Sequence, residues 1–274
     1  MSATPIPRSL SLIIYGDLDL SVLDEMPPGR TPIETYAVSS ALHSRACNYV
    51  KKHLDVGKQG YIICPLVEEG ENDAVASAEK TYEQLCKEDF VGYRLGLLHG
   101  KMKPKDKDAV MNDFASGKIQ LLVATTVVEV GVDVPNAAIM IIENADRFGL
   151  SQLHQLRGRV GRGSFKSTCI LISDAKSDNS KRRMEIMKNT CDGFKIADED
   201  LKMRGPGDFF GSRQHGLPLF KIADLATDTE LVKMSAKAAK DLIKTDPDLS
   251  DPVHRELKRK IQKLFDERAG GSIS

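Results

Sequence analysis

A chain of 274 residues, 41% hydrophobic and 28% charged, is long enough for two cores, or for one large core with an appendage. Its 39 basic and 39 acidic residues cancel, which argues against a generally basic nucleic-acid coat while leaving room for a local basic groove. No apolar run nears the roughly 20 residues of a membrane helix, and Met1-Ser2-Ala3-Thr4-Pro5 lacks the basic-then-apolar order of a secretory signal.

Residues 34–38 are predicted as a strand and 40–54 as a helix, with Leu42, Ala46, Tyr49 and Val50 on one face. Residues 60–66, GYIICPL, form an uninterrupted apolar run of the kind buried on both faces of a parallel sheet. A helix follows, carrying Val75, Ala78, Tyr82 and Leu85 at helical spacing. Residues 94–98 are the next strand, and 104–115 a helix opened by Pro104 and closed by Gly117. The runs 119–124 (IQLLVA), 138–142 (AIMII) and 168–172 (TCILI) supply further strands, with a short helix at 151–156 before the last. Strands alternating with helices in this way predict an α/β fold, a parallel sheet with helices on both faces.

The pattern changes after Ser173. Residues 181–189 and 198–203 read as helices, and a glycine-rich stretch, Gly205-Pro206-Gly207-Asp208-Phe209-Phe210-Gly211, breaks the periodicity. Thr227 and Glu230 make a capping box for a helix bearing Leu231, Met234, Ala238 and Leu242. Ser250-Asp251-Pro252 opens a last helix with Leu257, Ile261 and Leu264. Both stripes are expected to face a core, and Gly270-Gly271-Ser272 reads as a frayed end. The expected division is 1–30, 31–175 for the sheet domain and 176–274 for a helical C-terminal region. Cys47, Cys64, Cys86, Cys169 and Cys191 are far apart and none forms a metal-ligand pair. Buried thiols in a reducing compartment, the cytoplasm, are therefore expected, and no metal site.

Chemistry concentrates in three places. The run Gln155-Leu156-Arg157-Gly158-Arg159-Val160-Gly161-Arg162-Gly163 places Arg159 and Arg162 three apart, on one side of a helix or of a tight glycine turn. Planar guanidinium forks bind phosphate oxygens bidentately and stay charged, and the glycines admit a phosphate or another backbone. A surface turn making salt bridges is the plainer reading of the same residues. Upstream, Leu121-Leu122-Val123-Ala124-Thr125-Thr126-Val127-Val128-Glu129-Val130-Gly131-Val132-Asp133-Val134-Pro135 ends a buried strand at the carboxyl edge that borders ligand crevices in open parallel sheets. There Thr125 can donate to a phosphate and Asp133 can accept from a ribose hydroxyl; alone, each is an ordinary turn or loop residue. Leu98-His99-Gly100-Lys101-Met102 ends another strand, as a ligand contact or a simple strand-to-helix turn.

In this order the three segments resemble motifs IV to VI of superfamily 2 helicases. Ser2-Ala3-Thr4-Pro5-Ile6-Pro7-Arg8 is similar to motif III, YGDLDLSVLDEMPPGRTPIET to the linker of the RecG family, and RGPGDFFGSRQHGLP to that family's translocation motif. The resemblance spans nearly the whole chain. It implies a RecA-like sheet domain at 31–175, preceded over 1–30 by the end of a first helicase domain and a linker. Residues 176–274 then hold the translocation motif and helical tail. It further implies that Arg159 and Arg162 reach the γ-phosphate of ATP, with Arg162 preferred as the arginine finger, and that Gln155 senses the nucleotide. Gly131, Asp133 and, more weakly, Glu129 line the same cleft; Thr125 and His99 belong to the DNA side; Arg204, Arg213 and Gln214 couple cleft closure to movement on duplex DNA. The implied ligands are ATP, Mg2+ and branched DNA, and the implied partners are the N-terminal helicase and wedge domains of the same protein, with no membrane.

The sequence holds no GxxxxGK[ST] phosphate loop, and Asp24-Glu25, followed by Met26-Pro27, is not a magnesium-binding acidic pair. The chain is thus expected to be a fragment that does not hydrolyse ATP alone. Two other readings stay open: a non-catalytic binding module with a degenerate helicase fold, and a sister translocase acting on stalled polymerase.

Overall fold

A computed structural model describes residues 31–65, 71–125, 133–163, 165–204 and 229–270. The described residues fall into two compact units, one running to Glu199 and one from Asp200.

The first unit is built on one six-stranded sheet in the order β1-β6-β5-β2-β4-β3. Its strands are β1 (Glu34–Val38), β2 (Gln59–Ile63), β3 (Leu95–Leu98), β4 (Leu121–Ala124), β5 (Ala137–Ile142) and β6 (Thr168–Ile172). Every neighbouring pair is parallel. The expected RecA-like sheet is what the chain forms. Side chains of β2, β4, β5 and β6 are buried throughout, which is why these strands read as apolar runs rather than alternations. Gly60 of β2 pairs with Ile139 of β5, and a Cβ there would stand 2.7 Å from Ile139 Cγ2.

Helices α1 (His43–Asp55), entered through a 3-10 turn at Ser40–Leu42, and α2 (Glu71–Gln84) cover one face. Ala46, Cys47, Val50 and Leu54 of α1 and Ala78 of α2 join Ile62, Val123, Ile141 and Ile170 in one cluster. Helix α2 continues into a π-helical turn, Leu85–Asp89, that no periodicity announced. Helices α3 (Pro104–Ala115) and α4 (Leu150–Arg157) follow β3 and β5, and α3 sets Phe114 edge-on to Tyr61 of β2 at 5.0 Å between ring centroids. Gln59, buried at the start of β2, donates from Nε2 to the carbonyls of Phe114 and Ile119, locking the end of α3 to the approach of β4.

Helix α5 (Asp178–Asn189) is capped by Ser177, whose hydroxyl accepts from the Ser180 amide, and packs against β1. Helix α6 (Gly193–Arg204) follows it directly. In the second unit α7 (Thr229–Thr245) and α8 (Arg255–Gly270) flank a 3-10 turn, Pro252–His254, with Asp251 accepting from the Val253 amide as N-cap.

Among the side chains that are described, the stripes expected to lie in a core do not. Leu231, Met234 and Leu257 are exposed, Ala238 is too, and Leu242 and Ile261 are half-buried. An amphipathic stripe is buried only where another layer lies against it, and among the described residues the sheet belongs to the first unit. Thr227 of the expected capping box lies outside the described residues. Of the cysteines, Cys47, Cys64 and Cys169 are buried as expected, Cys86 is half-buried and Cys191 is exposed. No helix among the described residues is long and apolar enough to cross a membrane.

Candidate functional site

The sheet sorts the predicted residues onto two edges. Helix α4 ends at Arg157, and Gly158 donates to the His154 carbonyl while Arg159 donates to that of Leu156. The run from Gly158 to Arg162 is therefore a tight turn and not continued helix. Gly161 makes the turn possible: its φ is +78°, and a Cβ would lie 2.9 Å from Ile33 Cγ1. Gly163 faces the Pro135 carbonyl where no Cβ would fit. Both contacts place the turn at the amino ends of β1 and β5.

There Arg162 Nη1 stands 3.4 Å from Asp133 Oδ1, and Arg162 Nε donates to the Gly158 carbonyl at 3.2 Å. Arg162 and Asp133, which the resemblance assigns to one cleft, are paired with each other ahead of β5. Their side chains are 33% and 57% exposed, and such a pair contributes about 0–1 kcal/mol. An anion can outbid it. Arg159 and Gln155 are half-buried. The charges of Arg159 and Arg162 also act on Tyr61, whose hydroxyl is nonetheless pushed up to about 12 by burial.

Thr125 and His99 occupy the opposite, carboxyl edge, on neighbouring strands. Thr125 follows β4, its amide donates to the Leu98 carbonyl at 3.1 Å, and its side chain is fully buried. His99 follows β3, with Nε2 3.7 Å from Glu79 Oε1. Thr125 Oγ1 and His99 Nδ1 are the buried side-chain polar atoms without a hydrogen-bond partner among the described residues. Leaving such atoms unpaired costs about 1–3 kcal/mol each, so each is an unmet demand for a donor or acceptor at that edge.

Glu129 and Gly131, and Arg213 and Gln214, lie outside the described residues; Arg204 closes α6.

Sequence reasoning missed a third cluster. The connection after β2 leads toward β3 and that after β5 toward β6, so the connections diverge between these two central strands, where open sheets hold ligands. A cavity of about 480 Å³ opens at that point, lined by Cys64, Ser77, Asp89, Glu143, Arg147 and His43. His43 Nε2 lies 3.0 Å from Glu143 Oε1 and its Nδ1 lies 3.7 Å from Cys47 Sγ. Cys47 and Glu143 together push the imidazole pKa up to about 10 against the opposing effect of burial. His43, Cys47 and Asp89 hold their ligand atoms within 4.8 Å of one another and could hold a metal ion. The signal was the i, i+4 spacing of His43 and Cys47; Asp89 and Glu143 arrive from other elements and could not be paired with them from spacing.

The chain matches two family models, the helicase conserved C-terminal domain over residues 44–164 and domain 3, C-terminal, of the ATP-dependent DNA helicase RecG over residues 190–270. It is 49% identical over 264 residues to the ATP-dependent DNA helicase RecG of Bacillus subtilis, covering 96% of this chain and 39% of that protein. The RecG of Synechocystis is 44% identical over 273 residues, which are 100% of this chain and 33% of the relative. The chain thus spans between a third and two fifths of these relatives. A solved structure of RecG bound to a three-way DNA junction superimposes with a TM-score of 0.68 at 47% identity, over 85% of this chain and 30% of that one.

Proposed function

The chain belongs to the RecG family of ATP-dependent DNA helicases, as a C-terminal portion of it, and from that premise we propose that it supplies the arginine finger and translocation segment of a motor that remodels branched DNA. Replication forks and Holliday junctions are the substrates in this reading, recombination and repair the setting, and the cytoplasm the location. Residues 1–30 finish a first helicase domain and linker, 31–175 form the second RecA-like domain, and 176–274 carry the translocation motif and helical tail. ATP and Mg2+ are bound mainly by the N-terminal helicase domain of the same protein, which works with a wedge domain at the junction.

The observation that carries the reading is Arg162, held 3.4 Å from Asp133 in an exposed pair at a glycine turn. A guanidinium so placed is pre-aimed and easily released. When a γ-phosphate enters the cleft, Arg162 turns to the charge that develops on it, with Arg159 beside it, Gln155 as sensor and Asp133 freed for the ribose; Gly131 and Glu129 line the same cleft. Phosphoryl transfer needs positioning and charge stabilisation more than covalent chemistry, so half of the site can reside on one domain. At the other edge, Thr125 and His99 belong to the DNA side of the domain in this reading. Arg204, Arg213 and Gln214 convert cleft closure into movement along the duplex.

The test is Arg162→Ala in the full-length protein. Turnover should fall by roughly a thousandfold, the scale of an arginine finger. ATP affinity should change little, because the finger acts on the transition state. A variant that turns over normally moves the role to Arg159 or refutes it.

A further inference from the structure

We propose that Arg157, which the mechanism above does not use, is a positioning residue that fixes the arginine turn by clamping the end of α4 to the end of α5. Its side chain is among the most deeply buried in the protein, at 2% exposure, yet among the described residues its partners include no carboxylate. Nη1 donates to the carbonyls of Met187 at 2.8 Å and Thr190 at 2.9 Å, and reaches Thr35 Oγ1 at 3.4 Å. Nη2 lies 3.3 Å from His154 Nδ1.

A buried charge is retained only where its donors are satisfied. Here one acceptor is the Met187 carbonyl in the last turn of α5, where carbonyls lack partners within the helix and sit at the negative end of its dipole, and another is the carbonyl of the C-cap residue Thr190. The clamp therefore solves two problems at once. It gives the guanidinium hydrogen-bond acceptors with no carboxylate among its described partners, and it ties together β1 through Thr35, α4 through His154, and the junction from α5 to α6 through Met187 and Thr190.

The arginine turn grows directly out of this residue. Val160 donates to the Arg157 carbonyl at 3.2 Å, and Arg159 donates to the carbonyl of Leu156 next to it. Arg162 in turn bonds back to Gly158. The orientation of both turn arginines is thus referred to a backbone that Arg157 holds. Lysine cannot replace it, because a single ammonium on a flexible stem cannot serve the acceptors gathered at Nη1 and His154 at Nη2 together, as the rigid guanidinium fork does.

This inference rests on the reading of Arg162 as the finger, and the experiment separates the two. In the full-length protein, Arg157→Lys should lower kcat for ATP by about a hundredfold, the scale on which a misplacement of about 1 Å costs rate. KM for ATP should be nearly unchanged, while the melting temperature should fall, because buried donors and acceptors lose their partners. In this chain by itself, Arg157→Lys should speed amide hydrogen exchange across residues 158–162 and at Thr190 while leaving β2, β4 and β5 as protected as before. Normal exchange in the turn overturns the clamp whatever the ATPase shows. Faster exchange with unchanged kcat also overturns the positioning role if Arg162→Ala abolishes turnover. If Arg162→Ala turns over normally as well, the finger reading has failed and the clamp stands as a feature of the fold. Should Arg157→Lys fail to fold, Arg157→Met decides: folded protein with a mobile turn supports the clamp, and folded protein with a protected turn overturns it.

Discussion

At the scale of single residues, the best-defined electrostatic feature is His43 between Cys47 and Glu143. The imidazole titrates near 6.5 in an unfolded chain and at about 10 here, so the folded state holds its proton more tightly. The resulting stabilisation is complete below about pH 6.5 and is lost as the pH rises through about 10. Replacing His43 by Gln keeps a hydrogen bond and removes the charge. The melting-temperature gap between wild type and His43→Gln should be widest near pH 6 and close by roughly pH 10. A gap of constant size across that range would mean that His43 stays neutral and acts only as a hydrogen-bond donor. Cys64 lies in the same cavity, and burial pushes its thiol up to about 12, so it behaves as core and not as a nucleophile.

At the scale of elements, the turn joining α7 to α8 is organised by one carboxylate. Asp246 accepts from the Ser250 amide at 2.8 Å, the Ser250 hydroxyl at 3.0 Å and the Asp251 amide at 3.0 Å, and pairs with His254 Nδ1 at 2.8 Å. His254 and then the two amides hold the carboxyl well below the usual range. A depressed carboxylate stabilises above its unfolded pKa and loses that contribution as the pH falls through the folded one. Asp246→Asn should therefore leave the sheet unit intact while the Ser250 and Asp251 amides exchange faster with solvent. Unchanged protection of both amides would show that the backbone alone sets this turn. The exposed stripe of α7, by contrast, followed helical periodicity perfectly and still did not find a core, because periodicity fixes which residues share a face and not what covers that face.

At the scale of the whole molecule, the sequence contains no phosphate loop, and the charge sums to zero. The purified chain should show no DNA-stimulated ATPase. Turnover that scales with chain concentration and disappears in Arg162→Ala would sink that expectation. Binding to DNA should be weak and fall steeply with salt, since affinity drops by roughly 0.9 log units per log unit of salt for each phosphate neutralised. A salt-insensitive, sequence-selective complex would instead favour a binding module.

Much of this molecule was legible before any coordinates. Strands β2, β4, β5 and β6 announced themselves because a parallel sheet covered on both faces demands continuous apolar runs such as AAIMII, and Pro104 and Gly117 marked their helix because their backbone preferences are local. The arginine turn was legible for the same reason, since glycine at φ +78° leaves a mark in the sequence itself. What only the tertiary structure decided was juxtaposition. Asp133 meets Arg162, His43 meets Glu143, and Arg157 meets Met187 and Thr190 across 29, 100, 30 and 33 positions of chain respectively. Sheet order sets those meetings, and sheet order is chosen by how buried faces stack over the whole domain, which no local spacing encodes.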